Sequence, residues 1–230
     1  MNSFFLPYDV FERHKMIGKM IPENKTVLDI GGQLNMLSQF CKGAKIIVAN
    51  LESSQEKSDI TIKKNSLPFA ANSFDIVTAI DVLEHIPKNE RKDFINKLGK
   101  VAREKVILSF PIGTSAHSAY EREMEKWLKA RGHDIDYLKE HIKYGLPKTK
   151  EIKNITSGLK TKIFFSGNLK VNKMLFKIFL FDPKIFIVRR LVFFAKNFFY
   201  FLTNHFLYTI LAGKNFSENV VRAYLIINKK

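Results

Sequence analysis

The sequence contains almost no cysteine and begins without a secretion signal. Cys41 is the single cysteine in 230 residues, which excludes an intrachain disulfide and is typical of a reducing compartment. The first residues lack the basic start and the long apolar core of a signal peptide. We therefore expect a cytoplasmic protein, and its length suffices for one α/β domain with a sizeable core.

Acidic residues are scarce, at 22 against 38 lysines and arginines. Residues 151–230 contain 14 of the basic residues and only 3 of the acidic ones, and 13 of the 21 phenylalanines lie between Phe164 and Phe216. A basic and aromatic segment is typical of a surface that binds nucleic acid or an anionic membrane. A genome-wide bias toward Lys, Asn, Ile and Phe is the alternative explanation.

Two common nucleotide-binding motifs, GxxxxGK[ST] and GxGxxG, are missing. A different glycine turn follows the apolar run from Val27 to Ile30, which predicts a buried strand. Gly31-Gly32 ends that strand, and apolar residues at helical spacing predict a helix over residues 33–41. A strand, a glycine turn and a helix form the nucleotide-binding start of a βαβ unit.

The turn resembles the opening motif of the class I methyltransferases that depend on S-adenosylmethionine (SAM), Asp/Glu-x-Gly-x-Gly-x-Gly. The sequence reads Asp29-Ile-Gly31-Gly32-Gln33-Leu34-Asn35, so Gln33 and Asn35 replace the second and third glycines. Asparagine tolerates positive φ, which makes Asn35 a suitable substitute, whereas glutamine is a poor one. A glycine turn that binds no cofactor is the alternative.

A second segment, from Asn65 to Pro87, closely resembles the small-molecule members of that class. It contains Leu-Pro-Phe from Leu67, Ser-Phe-Asp ending at Asp75, and Leu-Glu-His ending at His85. Residues 76–80 are mostly apolar and are predicted to form the fourth strand. Asp81 then stands at the carboxyl end of that strand, where ligands bind in an open parallel sheet.

The resemblance implies an α/β fold, namely a seven-stranded, mostly parallel Rossmann-like sheet with helices on both faces. More than fifty residues separate strands six and seven where a short link would suffice, so we also expect a helical insertion there. We expect a single methyltransferase domain over residues 1–230. Its parts are a SAM-binding core (1–111), an acceptor-side insertion (112–160), a basic, Phe-rich helical insertion (172–213) and a last strand (219–228).

The same resemblance implies SAM as the cofactor and a set of residues that bind it. Glu52 is preferred for the ribose hydroxyls because a carboxylate accepts two hydroxyls more strongly than an amide, and Asn50 is the second choice. The cofactor-binding candidates are Asp29, Gly31, Gly32, Gln33, Asn50, Glu52, Asn65, Ser66, Leu67 and Asp81.

Histidines are the candidates for acting on the acceptor. His117 and His85 are the candidate catalytic bases, with ordinary local hydrogen bonding as the alternative. His117, His133 and His141 match no zinc spacing, and no cysteine accompanies them, so we predict no metal site.

The segment from Leu191 to Ala212 is long enough to cross a bilayer. Its polar residues fall on one helical stripe, however, and a single crossing would separate strands six and seven. We therefore predict that residues 172–213 lie on an anionic membrane or form a homodimer interface. A helical cap on the protein's own sheet is the alternative.

These observations predict a SAM-dependent methyltransferase whose acceptor is a small molecule, a glycan or a lipid-linked compound, with the protein peripheral at a membrane. A degenerate, non-catalytic membrane-associated partner with the same fold is the alternative. RNA methylation comes third, because the aromatic residues cluster in helical runs rather than on strands. Nucleic acid is thus the less expected partner.

Overall fold

A computed structural model describes residues 5–54, 56–63, 66–133 and 135–229. Its centre is a seven-stranded sheet in the order β3-β2-β1-β4-β5-β7-β6. Strand β7 runs antiparallel to β5 and β6, and the other pairs are parallel. The strands are β1 (Thr26–Ile30), β2 (Lys45–Leu51), β3 (Ile60–Ile62), β4 (Phe74–Ile80), β5 (Ala102–Pro111), β6 (Lys160–Ser166) and β7 (Arg222–Asn228). The predicted α/β fold is confirmed.

Helices lie on both faces of this sheet. They are α1 (Tyr8–Gly18), α2 (Arg91–Val101), α3 (Ser115–Lys129), α4 (Asp136–Tyr144), α5 (Thr149–Ile155), α6 (Leu169–Leu180) and α7 (Phe186–Leu211). Alternate residues of β4 face opposite sides: Ile76 and Ile80 pack with Ile17 of α1, whereas Val77 and Ala79 pack on the α2 side. The two-residue period of a strand therefore divides one apolar run between two cores.

The helix predicted over residues 33–41 is wrong. In its place, a single 3-10 turn spans Leu37–Phe40. Gly31 and Asn35 both have left-handed backbone conformations, with φ of +75° and +61°. Such residues interrupt a right-handed helix, so the apolar spacing of residues 34–40 reflects packing of a turn rather than of a helix.

The connection between β6 and β7 holds α6 and α7, as predicted. The polar stripe of α7 faces the body of the protein: Asn204 is buried and donates to the Leu6 carbonyl at 2.9 Å, and Tyr200 and Tyr208 are buried beside it. The apolar stripe faces outward, and Phe198 and Phe206 are 63% and 65% exposed. The usual orientation of an amphipathic surface helix is thus reversed.

Within the described ranges, no helix is both long enough and apolar enough to span a membrane.

Candidate functional site

A cavity of about 450 Å³ opens at the carboxyl ends of β1, β2 and β4. This is the edge at which ligands bind in parallel α/β sheets. Five of the residues predicted to hold the cofactor line it, namely Gly31, Asn50, Ser66, Leu67 and Asp81, and the candidate base His85 lines it as well. The cavity has the size of an ordinary small-molecule site.

Gly31 and Gly32 shape the wall of this cavity through the absence of side chains. Gly31 has a φ of +75°, and a Cβ at this position would lie 2.6 Å from Cγ2 of Val82. A Cβ on Gly32 would overlap the Asp29 carboxylate. Both positions therefore require glycine, the first for its backbone conformation as well as for space.

Asp29 lies beneath the turn rather than on the cavity wall. Its side chain is fully buried, Oδ1 accepts a 2.7 Å hydrogen bond from Thr78, and Oδ2 has no hydrogen-bond partner among the described residues. Burial raises the pKa of Asp29 to about 7, which the Thr78 hydrogen bond partly opposes. The carboxyl group supports the glycine turn from below.

The two candidates for the ribose are placed differently. Asn50 is buried, lines the cavity and donates from Nδ2 to the Gly32 carbonyl at 2.9 Å. Glu52 is exposed and does not line the cavity, although its backbone N–H binds the Ile62 carbonyl. The geometry favours Asn50 for this role.

The remaining cofactor candidates divide in the same way. Ser66 and Leu67 line the cavity, whereas Asn65 lies outside the described residues. Gln33 is exposed and donates to Glu56 at 3.0 Å, away from the cavity. Asn35 adopts the left-handed conformation for which the pattern uses glycine.

A second cavity, also of about 450 Å³, lies beside the first. Its walls come from α1, α3, α4, α6 and α7 and from the start of β7. Asp81 and His85 line both cavities, so the two spaces meet at these residues. Four tyrosines and several apolar side chains line the second cavity: Tyr8, Tyr120, Tyr137, Tyr200, Leu175, Phe176 and Phe179.

Asp81 is fixed at the junction by two arginines. Its Oδ1 accepts from Arg222, which is fully buried, and its Oδ2 accepts from Arg13 at 2.6 Å. Asp81 also has a left-handed φ of +55°, which turns the chain directly after β4. Such charge-assisted bonds hold the carboxylate in one orientation.

His117 lines the second cavity and is 4% exposed. Its Nδ1 lies 3.0 Å from the Ile112 carbonyl. Because a carbonyl only accepts, Nδ1 must carry the proton, and Nε2 of the neutral ring keeps a lone pair. Burial lowers the pKa of His117, which keeps the ring neutral near pH 7.

Three further residues line the second cavity: Glu84 and Glu121, which the sequence pattern did not assign, and His141, which was one of the histidines considered for the acceptor side. Glu84 is 1% exposed, and burial raises its pKa to about 8. Glu121 and His141 are both buried and are joined by a 2.8 Å contact between carboxylate and Nδ1. Glu121 belongs to α3 and His141 to α4, so only the packing of these helices brings the pair together.

Comparison with known proteins gives the class of this site. Residues 21–110 match the family model described as a methyltransferase domain. The match therefore indicates a methyltransferase domain over 90 of the 230 residues. The matched segment contains the glycine turn, β2, β4 and most of β5, and SAM is the cofactor of this domain. No curated protein sequence matches the chain.

Solved structures share the fold of the matched segment and of the elements that flank it. A SAM-dependent methyltransferase from Archaeoglobus fulgidus is 14% identical, with a TM-score of 0.54 over 96% of this chain and 94% of that one. A cyclopropane-fatty-acyl-phospholipid synthase-like protein from Lactobacillus casei is 10% identical, with a TM-score of 0.52 over 96% and 91%.

The third neighbour carries the cofactor. It is a phosphoethanolamine N-methyltransferase from Haemonchus contortus in complex with SAM, 14% identical, with a TM-score of 0.53. The match covers 94% of this chain and 52% of that chain. At these identities the likeness is one of fold.

The residues of the first cavity fit SAM. The wall at Gly31 has no side chain, which admits a ligand close to the backbone, and the buried amide of Asn50 faces the same space. The apolar side chain of Leu67 offers a surface for a flat base.

Proposed function

We propose that the chain transfers the methyl group of SAM to an acceptor that enters the second cavity, and that this acceptor is a lipid-linked or glycan intermediate at a membrane surface. The observation that carries the proposal is the meeting of the two cavities at Asp81 and His85. A methyl donor in one cavity and an acceptor in the other would approach each other there.

In this proposal residues 1–111 hold the cofactor. Gly31, Asn50, Ser66 and Leu67 would contact it, and Asp29 and Gly32 would keep the turn in shape. SAM supplies an electrophilic methyl group on its sulfonium. Most of the remaining work is to hold the acceptor in the correct position, which accounts for a large part of the rate in two-substrate reactions.

Residues 112–160 would serve the acceptor. His117 is the residue that we propose to receive a proton from an acceptor hydroxyl, because its Nε2 lone pair belongs to a neutral ring on the cavity wall. Asp81 is committed to Arg13 and Arg222 and is therefore less suited to this task.

The insertion between β6 and β7 connects the acceptor cavity to an apolar surface. Its helices contribute Leu175, Phe176, Phe179 and Tyr200 to the cavity wall. The outward side of α7 exposes a row of large apolar residues: Phe186, Ile187, Leu191, Phe194, Phe198, Leu202 and Phe206. An apolar patch of this kind is typical of a membrane or protein interaction surface.

The charges beside this patch favour an anionic membrane over a second protein copy. Basic residues outnumber acidic ones throughout α6 and α7. Some are used within the protein, since Lys173 pairs with Glu123, Arg189 with Asp182, and Lys196 donates to two carbonyls. Lys177, Lys184 and Arg190 are the residues that we propose to meet lipid phosphates.

Replacement of Phe198 and Phe206 by serine should weaken binding to vesicles of mixed phosphatidylglycerol and phosphatidylcholine by at least roughly tenfold. Burial of each phenylalanine in lipid contributes about 1.5–3 kcal/mol, and both are more than half exposed. The measurement is flotation with vesicles, repeated with phosphatidylcholine alone.

The control is Phe164→Ser, which removes a partly exposed phenylalanine of β6 outside this patch and should leave flotation unchanged. Absence of wild-type flotation with either vesicle would contradict the membrane proposal. Self-association lost in the Phe198 and Phe206 variant, without any flotation, would assign the surface to a homodimer.

A further inference from the structure

We infer that Glu84, His85 and His141 form a binding site for one divalent transition-metal ion, with Zn²⁺ the best match, at the wall of the acceptor cavity. One ligand atom of each residue lies within 4.8 Å of those of the other two. All three residues line the second cavity, and His85 also borders the cofactor cavity. A metal here would adjoin the place where the two substrates meet.

Unpartnered buried atoms are the first observation that points to a ligand. Oε2 of Glu84 and Nε2 of His141 are buried and have no hydrogen-bond partner among the described residues. Glu84 is 1% and His141 7% exposed. Buried polar atoms without a partner are costly, and a bound cation between them would satisfy both.

The second observation is that both histidines are already oriented by carboxylates. Nδ1 of His141 lies 2.8 Å from Glu121, and Nδ1 of His85 lies 2.6 Å from Glu140. Each Nδ1 therefore donates a proton, which leaves the lone pair on Nε2. Metal-ligating histidines almost always have such a partner on the other ring nitrogen.

The third observation is that one buried arginine holds the backbone on which the three ligands lie. Arg91 donates from Nε to the carbonyls of Leu83 and Ile86, on either side of Glu84 and His85. Its Nη2 donates to the carbonyl of Gly145, at the end of α4, which carries His141. The same guanidinium thus fixes both elements of the site.

Two imidazole nitrogens and one carboxylate oxygen are the donor set of several catalytic zinc sites, which keep a further position open. Magnesium and calcium prefer oxygen ligands and fit this set poorly. Zinc at about 2.0–2.1 Å from each ligand would place tetrahedral donors about 3.4 Å apart, so small side-chain movements would complete the site.

The ion's role rests on the proposed function. An open coordination position toward the second cavity would bind the acceptor's oxygen or sulfur atom and lower the pKa of that group. His85 would then act as a ligand rather than as a base, while His117 remains the residue that receives the proton. The prediction of no metal site from the sequence considered His117, His133 and His141; that set shares His141 with the present site but lacks Glu84 and His85.

The test is metal binding by the purified full chain. Bound metal is first removed with a chelator, and the chelator is then removed by dialysis. Titrations with Zn²⁺ followed by calorimetry, and with Co²⁺ followed by visible absorption, should give one ion per chain. His141→Gln and Glu84→Gln should each weaken binding by more than roughly 100-fold, and Glu121→Gln by about 10-fold, because loss of an orienting carboxylate costs less than loss of a ligand.

His133→Gln is the matched control, because His133 is exposed and outside the cluster. It should bind as the wild type does. Folded wild-type chain that takes up neither ion, or affinity that is equal in the wild type and both ligand variants, would overturn the inference. A parallel SAM titration distinguishes failure of the metal site from failure of the proposed function. A chain that binds metal but does not bind SAM has this site and lacks the proposed function.

Discussion

Replacement of His117 by glutamine should lower kcat for a hydroxyl acceptor by about 10²–10⁴-fold, the usual contribution of a general base. His117 is a buried histidine of the second cavity, with Nδ1–H fixed by the Ile112 carbonyl and the Nε2 lone pair available. Glutamine keeps a polar side chain of similar reach but cannot take a proton. SAM affinity should remain unchanged, because His117 does not line the first cavity.

His14→Gln is the control for this variant. His14 is also buried and also has Nδ1 on a backbone carbonyl, that of Val10 at 2.7 Å, but it lines neither cavity. A general effect of losing a buried histidine would appear in both variants. Equal turnover of His117→Gln and wild type, at saturating acceptor and SAM, would exclude His117 as the base.

Replacement of Gly32 by alanine should lower the free energy of unfolding by about 3 kcal/mol, in the upper range for overpacking of a buried site. The added Cβ would overlap the carboxylate of Asp29, which is fully buried and held by Thr78. The turn would have to move, and SAM affinity should fall with it. Urea unfolding and calorimetric titration measure the two effects.

A double-mutant cycle tests whether overlap with the Asp29 carboxylate causes this loss of stability. Asp29→Ala removes the overlapping carboxylate, so Gly32→Ala should cost much less in that background than in the wild type. Gly99→Ala is the control: a Cβ there meets nothing within 4 Å, and α2 should gain about 0.5–1 kcal/mol. Equal costs of Gly32→Ala in both backgrounds would show that Asp29 is not the obstacle.

Much of the fold follows from short-range patterns. Apolar runs predicted β1 and β4, and the last strand, predicted at 219–228, is β7 at Arg222–Asn228. The prediction of a helix over residues 33–41 is wrong because the spacing of apolar residues does not indicate the sign of the backbone φ angle. The sequence indicated that Asn35 could replace a glycine because asparagine tolerates positive φ. It was not inferred that a residue in this conformation would interrupt the predicted helix.

The site depends more on contacts between distant residues. Arg222 reaches Asp81 from 141 positions away, and Glu121 meets His141 only because α3 and α4 pack together. No local spacing indicates such pairs. Glu52 and Asn50 illustrate the same dependence on distant contacts. Both were candidates for the ribose, but only the packing of the folded chain determines that Asn50 lines the cavity and Glu52 does not.

The orientation of α7 was also beyond the sequence pattern. Its polar stripe was recognised, and a polar stripe on a surface helix normally faces water. Here Asn204 binds the carbonyl of Leu6, and Tyr208 packs on Phe11 of α1, so the polar stripe faces inward. The exposed phenylalanines are the consequence.

Calorimetric titration of the purified chain with SAM and with S-adenosylhomocysteine tests the central claim most directly. We expect one site with a dissociation constant on the order of micromolar, equivalent to about 8 kcal/mol. Gly31→Arg should abolish it by filling the cavity wall, whereas Gly99→Arg should not. Absence of binding to folded wild-type chain would contradict the account and would mean that the altered glycine turn does not hold the cofactor.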